Sequence, residues 1–460
     1  MSLWTYIREN MLKHITQTVC EDKAAMTYEE LVVFAETFAK KITGESSCAI
    51  YCQSEMAASM ALLACFAARV TAVPLPVRYG ERHCQRILDT IDPTCCITDA
   101  GGELSICRLT GSRYRSPSQP PALIMCTSGT TGVPKGVMLS ERNIQTNVRD
   151  IADYFSIGRE DTILISRPLY HAAVLTGEFL TSLINGVNIR FYSQPFQPSL
   201  LLRSIEKHTI TAFCSTPTLV NLLARLSQNR ELPLKHISIS GECMSEATRQ
   251  SIRKAFPNAK IYFVYGLTEA SPRISYLPPE YFDEMPACVG VPLPGVQLKI
   301  VGSDGCEVAH GEEGILWVRG DNVMTGYYQE PELTQKILRN GWLCTGDIAC
   351  KNERGWLTIK GRSDEMIIRA GMNIYPQEIE AALQKDPRTK EVLAYGVADP
   401  KKGVQIAIDI SGDFKDVKDV KQMCINTLLP YQIPTLITLV DELPKNGSGK
   451  IIRGGQHAGT

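Results

Sequence analysis

The chain has 460 residues, with 48 Lys plus Arg against 49 Asp plus Glu and a formal net charge of −1. That balance excludes a protein held to nucleic acid by bulk charge, which needs a basic excess. At roughly 100–200 residues per domain the length allows two to four domains, and 44% hydrophobic with 21% charged residues is ordinary for a globular chain.

Residues 1–20 carry Arg8, Glu9, Lys13 and His14 and lack an apolar run followed by a small-residue cleavage site, so no secretory leader is expected. The most apolar stretch, Met56–Ala68, stops at Arg69. It is too short to span a bilayer and reads as a buried, closely packed helix, so no membrane insertion is expected. The 16 cysteines are scattered, with no C-x-x-C pair and no second pair at zinc spacing. Nearly all of them are expected to be reduced, small core residues of a cytoplasmic protein.

Residues 25–120 alternate weakly between strand and helix, and the alternation becomes plain from about 120 to 270. Strands are expected at Ala122–Cys126, Thr162–Ser166, Val187–Tyr192, Thr211–Cys214, His236–Ser240 and Ile261–Val264. Amphipathic segments lie near 141–156, 173–185, 199–207, 217–229 and 245–256. That spacing is the mark of parallel α/β layers. From about 286, dense Pro and Gly and short strands such as Gly314–Val318 and Trp356–Lys360 predict a small β-rich region. Beyond 362 a helix at Gln377–Gln384, strands at Val392–Val397 and Gln405–Ile410, a helix at Val417–Leu428 and a strand at Ile437–Val440 predict a small α+β domain.

The segment from Cys126 to Gly136 follows an apolar strand and is expected to lead into a helix. Four hydroxyls, three glycines and Lys135 fall within ten residues of it. Glycines let the backbone N–H groups close on phosphate oxygens, hydroxyls donate, and the lysine adds a point charge. It is not a Walker A loop, because Pro134 precedes Lys135 and Gly136 follows it. A second segment, Tyr265 to Ser271, begins at a strand end, where α/β sheets place ligands. There Tyr265 offers a flat ring, Thr268 a donor and Glu269 a hard oxygen ligand for magnesium. In a third, Asp347 follows a Thr-Gly turn and can accept both hydroxyls of a ribose. Arg362 stands at the composition break, and Lys450 sits in a Gly/Ser-rich loop.

Taken together and in this order, these segments resemble the adenylate-forming superfamily, which includes acyl- and aryl-CoA synthetases, nonribosomal-peptide adenylation domains and luciferase. The resemblance covers nearly the whole chain and is strongest from 122 to 453. It implies an α/β fold with a large layered N-terminal domain of α/β subdomains and a small β-rich region, residues 1–363, followed by a small mobile α+β C-terminal domain, residues 364–460. It implies that a carboxylate attacks the α-phosphate of ATP to give acyl-AMP and pyrophosphate, and that a thiol then takes the acyl group. Asp364 matches the hinge position. By the same resemblance Thr127, Ser128, Gly129, Thr130, Thr131, Gly132 and Lys135 would hold the phosphates. Gly241, Glu242, Tyr265 and Gly266 would border the adenine. Thr268 would touch the α-phosphate, Glu269 would bind Mg2+, and Asp347 with Arg362 would take the ribose. Lys450 would bridge the attacking carboxylate and the α-phosphate.

Pro168 to His171 matches a stretch seen in CoA ligases and aryl-acid activators. The absence of an aspartate near His171 argues against an α-amino acid, since a buried ammonium without a carboxylate partner is costly. Glu178, seven residues on, could serve a more distant amine. The acid pocket is expected to draw on His171, Cys214, Ser240 and Leu267 and their neighbours, up to Arg273. It is expected to be small or apolar with few charges, suiting an aryl or aliphatic acid. No arginine cluster announces a CoA 3′-phosphate site. The thiol is therefore expected to be CoA, or alternatively the phosphopantetheine of a carrier protein.

Overall fold

The apolar stretch after Ser54 forms a helix, Glu55–Ala68, for local reasons. Ser54 caps it through its Oγ, which accepts from the Ala57 N–H at 3.1 Å, and Arg69 ends it in the left-handed conformation. Eleven of its fourteen residues are buried, as a helix apolar all round requires. The helix Tyr28–Ile42 packs beside it and opens on a reciprocal cap. Glu30 N–H donates to Thr27 Oγ1 at 3.2 Å, and Thr27 N–H to Glu30 Oε2 at 2.7 Å. The computed structural model describes residues 1–128, 134–194, 197–227, 230–369, 372–399, 403–445 and 451–453.

Two large sheets build the body of the protein. In the larger, the strands Lys260–Gly266, His236–Ile239, Ala212–Ser215, Thr162–Ile165, Asn188–Phe191 and Thr18–Glu21 lie side by side and parallel. Helices Pro198–Lys207, Pro217–Ser227 and Glu246–Ala255 connect successive strands of this run. On the other side of Lys260–Gly266 the pairing turns antiparallel. The order there is Arg273–Leu277, Cys288–Pro292, Leu357–Arg362, Trp342–Lys351, Gly314–Arg319 and Gln297–Val301. The β-rich region expected after residue 286 is thus continuous with the parallel layer rather than set apart from it.

The second sheet has seven strands. It takes the N-terminal strands Thr71–Pro74, Ser47–Tyr51, Cys95–Ala100 and Glu103–Arg108, adds Leu123–Ser128 and Pro134–Leu139, and ends on the two-residue strand Gly326–Tyr327. The alternation read from 120 onward therefore belongs to two sheets, with the change between 139 and 162. The segment expected as one helix near 173–185 is broken, with a wider-wound turn at Leu175–Leu180 between helical turns Ala172–Val174 and Thr181–Asn185. Gly177 lies in that wide turn, and a Cβ there would stand 2.8 Å from Arg273 Nη2.

After Arg362 a separate core forms around Ile374, Ile379, Ile406, Ile408, Val420 and Met423. It lies under a three-stranded sheet of Thr389–Asp399, Gly403–Gly412 and Leu436–Leu439, with helices Pro376–Leu383 and Val417–Thr427. All 16 cysteines are free thiols. Eight are buried, but Cys107, Cys243 and Cys306 are exposed, so core packing accounts for only part of the set. Among the described residues, no helix is long and apolar enough to cross a membrane.

Candidate active site

The two ends of the Thr/Ser/Gly segment lie on the paired strands of an antiparallel hairpin. The chain enters along Leu123–Ser128 and leaves along Pro134–Leu139, which sets Thr127 opposite Lys135 and Ser128 opposite Pro134. The expected passage straight into a helix is corrected here, because Pro134–Leu139 intervenes and the helix Glu141–Tyr154 follows. A strand forms because four of its six positions are buried, and Gly136 lies flat against the sheet. A Cβ on Gly136 would meet Ile124 and Ile91 at 2.9 Å. Gly129, Thr130, Thr131 and Gly132 lie outside the described residues, as does Lys450.

The outer strand of this hairpin pairs with Gly326–Tyr327, and Tyr327 stands opposite Val137. This brings a tyrosine that the sequence reading did not select to the centre of the site. Lys135 Nζ lies over the Tyr327 ring, 5.7 Å from its centroid. The Tyr327 hydroxyl donates to Glu269 Oε1 at 2.7 Å. Burial and then the Glu269 carboxylate hold the Tyr327 phenol above its ordinary range, so the proton stays on the donor. Glu269 belongs to the short turn Thr268–Ala270, which follows the strand end at Gly266. A Cβ on Gly266 would fall 1.9 Å from the Pro272 carbonyl oxygen, which accepts from the Leu267 N–H at 2.9 Å. Only glycine lets the chain turn back this closely.

A second grouping sits at the same seam of the larger sheet. The Tyr265 hydroxyl donates to Asp347 Oδ2. Burial, then Asp347, raises the Tyr265 phenol well above its usual value. Asp347 lies within the strand Trp342–Lys351, beyond the positive-φ Gly346, rather than in a free turn. Its neighbour in register is Arg362, whose Nη1 is 3.6 Å from Asp347 Oδ1 and donates to the Thr345 carbonyl at 2.9 Å. Arg362 Nε also donates to Asp364 Oδ1 at 3.1 Å.

The ends of the parallel strands supply the third part. Ser240 follows His236–Ile239 and its N–H donates to the Ser215 carbonyl at 3.0 Å. Gly241 takes a φ of +93°, and Glu242 Oε2 accepts from Thr218 Oγ1 at 2.7 Å. Cys214 is buried, and Leu267 packs half-buried against the main core. His171 is pushed down to about 3 by burial, then by Arg167 and Arg78, and its Nε2 has no partner among the described residues. Glu178, which could serve a distant amine, is already ion-paired. Its Oε1 accepts from Arg167 Nη2 at 2.6 Å in a nearly dry ion pair.

The structure thus gathers Lys135 and Glu269 around Tyr327, with Thr127 opposite Lys135, and Tyr265 with Asp347 and Arg362. Tyr327 escapes the sequence reading because its signal is a register. Nothing in Thr325-Gly-Tyr-Tyr328 states that it will pair with residue 137. Among the described residues no cluster of three His, Cys, Asp or Glu forms a metal cage. A single carboxylate at Glu269 still suits magnesium, which is held by one or two carboxylates together with substrate phosphates.

Residues 8–328 match the family model described as AMP-binding enzyme, and residues 378–450 match that of the AMP-binding enzyme C-terminal domain. A long-chain-fatty-acid–CoA ligase of Escherichia coli O157:H7 is 34% identical over 352 residues, covering 74% of this chain and 62% of the relative. The chain thus spans less than two thirds of that relative's length. A feruloyl-CoA synthase of an Amycolatopsis species is 30% identical over 416 residues, covering 85% of this chain and 84% of the relative. The structure of O-succinylbenzoate coenzyme A synthetase from Bacillus subtilis in complex with AMP superimposes with a TM-score of 0.85 at 25% identity, covering 100% of this chain and 98% of that one.

Proposed function

Because the chain belongs to the family of AMP-binding enzymes, within the adenylate-forming superfamily, we propose that it is an AMP-forming ligase that joins a carboxylic acid to a thiol. The observation that carries this reading is the bridge from Lys135 through Tyr327 to Glu269. It ties a phosphate-binding cation on the hairpin strand Pro134–Leu139 to a metal-binding carboxylate in the turn Thr268–Ala270, beside Thr268. Two anions, the acid and the polyphosphate, must meet, and the pentavalent centre gathers further charge. Fixed positive potential at that point lowers the barrier.

In this reading Thr127 and Lys135, with Ser128, Gly129, Thr130, Thr131 and Gly132, hold the β- and γ-phosphates. Magnesium, when bound, neutralises phosphate charge, and Glu269 is the residue that would hold it, kept in place by the Tyr327 hydroxyl. Asp347 accepts the ribose hydroxyls, with Arg362 fixing its carboxylate. Tyr265, Gly266, Gly241 and Glu242 border the adenine. Thr268 donates to the α-phosphate. Lys450 reaches the attacking carboxylate and the same phosphate. His171 is neutral at physiological pH and, with Cys214, Ser240 and Leu267, lines the acid side.

The acid is activated as acyl-AMP with release of pyrophosphate, and CoA then takes the acyl group. The CoA ligases among the relatives support CoA over a carrier-protein phosphopantetheine. The break between residues 363 and 364 is supported by the two separate cores on either side of it. Asp364 is the pivot of the smaller domain. The 16 free thiols support a cytoplasmic setting. The reading is tested by ATP–pyrophosphate exchange over a panel of aryl, aliphatic and amino acids, followed by thioester formation with CoA or a loaded carrier protein. Exchange with one acid class and thioester on CoA is the expected result. Bound ATP with no exchange for any acid would reject it.

A further inference from the structure

Adenylation leaves unused a buried ionic group on the acid side of the site. Arg167 follows the strand Thr162–Ile165, and its ion pair with Glu178 has side chains only 10% and 1% exposed. Arg273 opens the strand Arg273–Leu277 and is 4% exposed. Its guanidinium crosses the face of Gly177, the residue before Glu178, and a Cβ at that position would stand in its way. Arg273 and Arg167 both act on Glu178 through space and on the neighbouring Cys214, a residue already assigned to the acid pocket. Two guanidinium groups and one carboxylate leave an excess of one positive charge in a dry place. Arg273 makes no ion pair among the described residues.

The hydrogen bonding is also incomplete. Nε of Arg167, Nε of Arg273 and Oε2 of Glu178 have no partner among the described residues, and neither do the hydroxyls of Ser166, Thr176 and Ser215. An arginine–glutamate–arginine brace that served only to hold the fold would satisfy its own donors, because each buried orphan and each unbalanced buried charge is costly. Arginine forks are suited to carboxylates. An amine placed here would face two cations, and a neutral hydroxyl would leave the charge excess standing. The sequence reading, which ended the pocket at Arg273 and counted few charges, missed the convergence of Arg167 and Glu178 on it.

We propose that this group receives a second carboxylate at the far end of the substrate, so that the acid activated is a dicarboxylic acid. One carboxylate meets ATP and the other lies between Arg167 and Arg273. The proposal rests on the ligase reading and narrows its substrate class.

The test compares matched acids on the full-length wild-type protein by ATP–pyrophosphate exchange: hexanoate with adipate, octanoate with suberate, and 3-phenylpropanoate with its ring-carboxylated analogue. The diacid of a pair is expected to exceed its monoacid by at least ~30-fold in kcat/KM. Arg273→Met should lower the diacid value ~100-fold, chiefly through KM, and bring the diacid-to-monoacid ratio down towards one. Monoacids, amine-ended acids or hydroxyl-ended acids turning over as well as the diacids would overturn the proposal, as would equal losses for both members of a pair in Arg273→Met. If that variant does not fold, the wild-type ratios decide alone. If no acid supports exchange, the ligase reading fails separately. Thermal shift of the wild-type protein then decides the site: a rise in Tm with adipate or suberate but not with hexanoate or octanoate keeps it, and no difference rejects it.

Discussion

Tyr327 serves two neighbours with different parts of one side chain, its ring under Lys135 and its hydroxyl on Glu269. The two can be separated. Tyr327→Phe keeps the ring and removes the hydrogen bond, leaving Glu269 free to rotate. A hydrogen bond to a charged group contributes about 1.5–3 kcal/mol, so exchange should fall roughly ten- to hundredfold, with a raised magnesium requirement. A magnesium titration of the exchange rate that superimposes on wild type would remove Tyr327 from the positioning of Glu269. Tyr327→Leu should cost more, through Lys135 as well. Lys450 poses a different question, since it lies outside the described residues and its role rests on resemblance. Lys450→Ala is expected to abolish acyl-AMP formation from acid and ATP while sparing thiolysis of pre-made acyl-AMP. Equal loss in the two half-reactions would contradict an adenylation-only role.

At the scale of elements, the turn after Lys260–Gly266 and the start of helix Glu55–Ala68 each carry one sharp expectation. Gly266→Ala forces a Cβ onto the Pro272 carbonyl oxygen, which is backbone and cannot swing aside. The turn that carries Thr268 and Glu269 must then shift. A loss of about 1–3 kcal/mol in stability should accompany loss of exchange, read by urea unfolding and activity together. Glu55, nearly buried at the start of its helix, accepts from the Leu169 N–H at 3.0 Å and from Arg78 Nη2 at 3.2 Å. Burial lifts it to about 7 against the lowering pull of the Leu169 N–H and Arg78, and Glu21 adds to the rise. A carboxyl raised in the folded state contributes stability that is full below its unfolded value near 4.5 and is lost as pH rises towards 7. Glu55→Gln keeps an acceptor for Leu169 and should flatten the pH dependence of the urea midpoint over that window. Unchanged slopes would show that Glu55 does not titrate there.

The elements themselves were largely legible. Each expected strand from 162 to 264 overlaps an observed one, because parallel strands buried on both faces read as β-branched runs. Sheet membership was not legible. The hairpin at 123–139 and the strands from 162 onward look alike in sequence yet belong to different sheets, and pairing partners leave no local trace. Glu178 shows the same limit at the side-chain level. Its charge is visible in the sequence, but its partner Arg167 is set by how a wide helical turn packs.

Among the described residues, the candidate site draws on positions from 127 to 362, and the smaller core begins only beyond them. The two parts touch through Tyr375, whose hydroxyl donates to Glu313 Oε2 at 2.7 Å, and through Gln377, which closes on Gly361. If Asp364 is the pivot, Asp364→Pro should leave acyl-AMP formation near wild type and slow thioester formation at least about tenfold, by fixing the φ that must rotate. Normal thioester rates in this variant would place the pivot elsewhere. The two-residue strand Gly326–Tyr327 has a consequence for how the protein is made. It covers the outer strand of the Leu123–Leu139 hairpin, yet it follows that strand by about 190 residues. At translation speeds of roughly 5–20 residues per second, the nascent hairpin waits on the order of 10–40 s with an open edge and with Lys135 lacking its ring. The Lys135–Tyr327–Glu269 bridge therefore cannot form until residue 327 has been made. A ribosome-bound chain stalled before residue 326 would expose that edge to chaperones and to other strands.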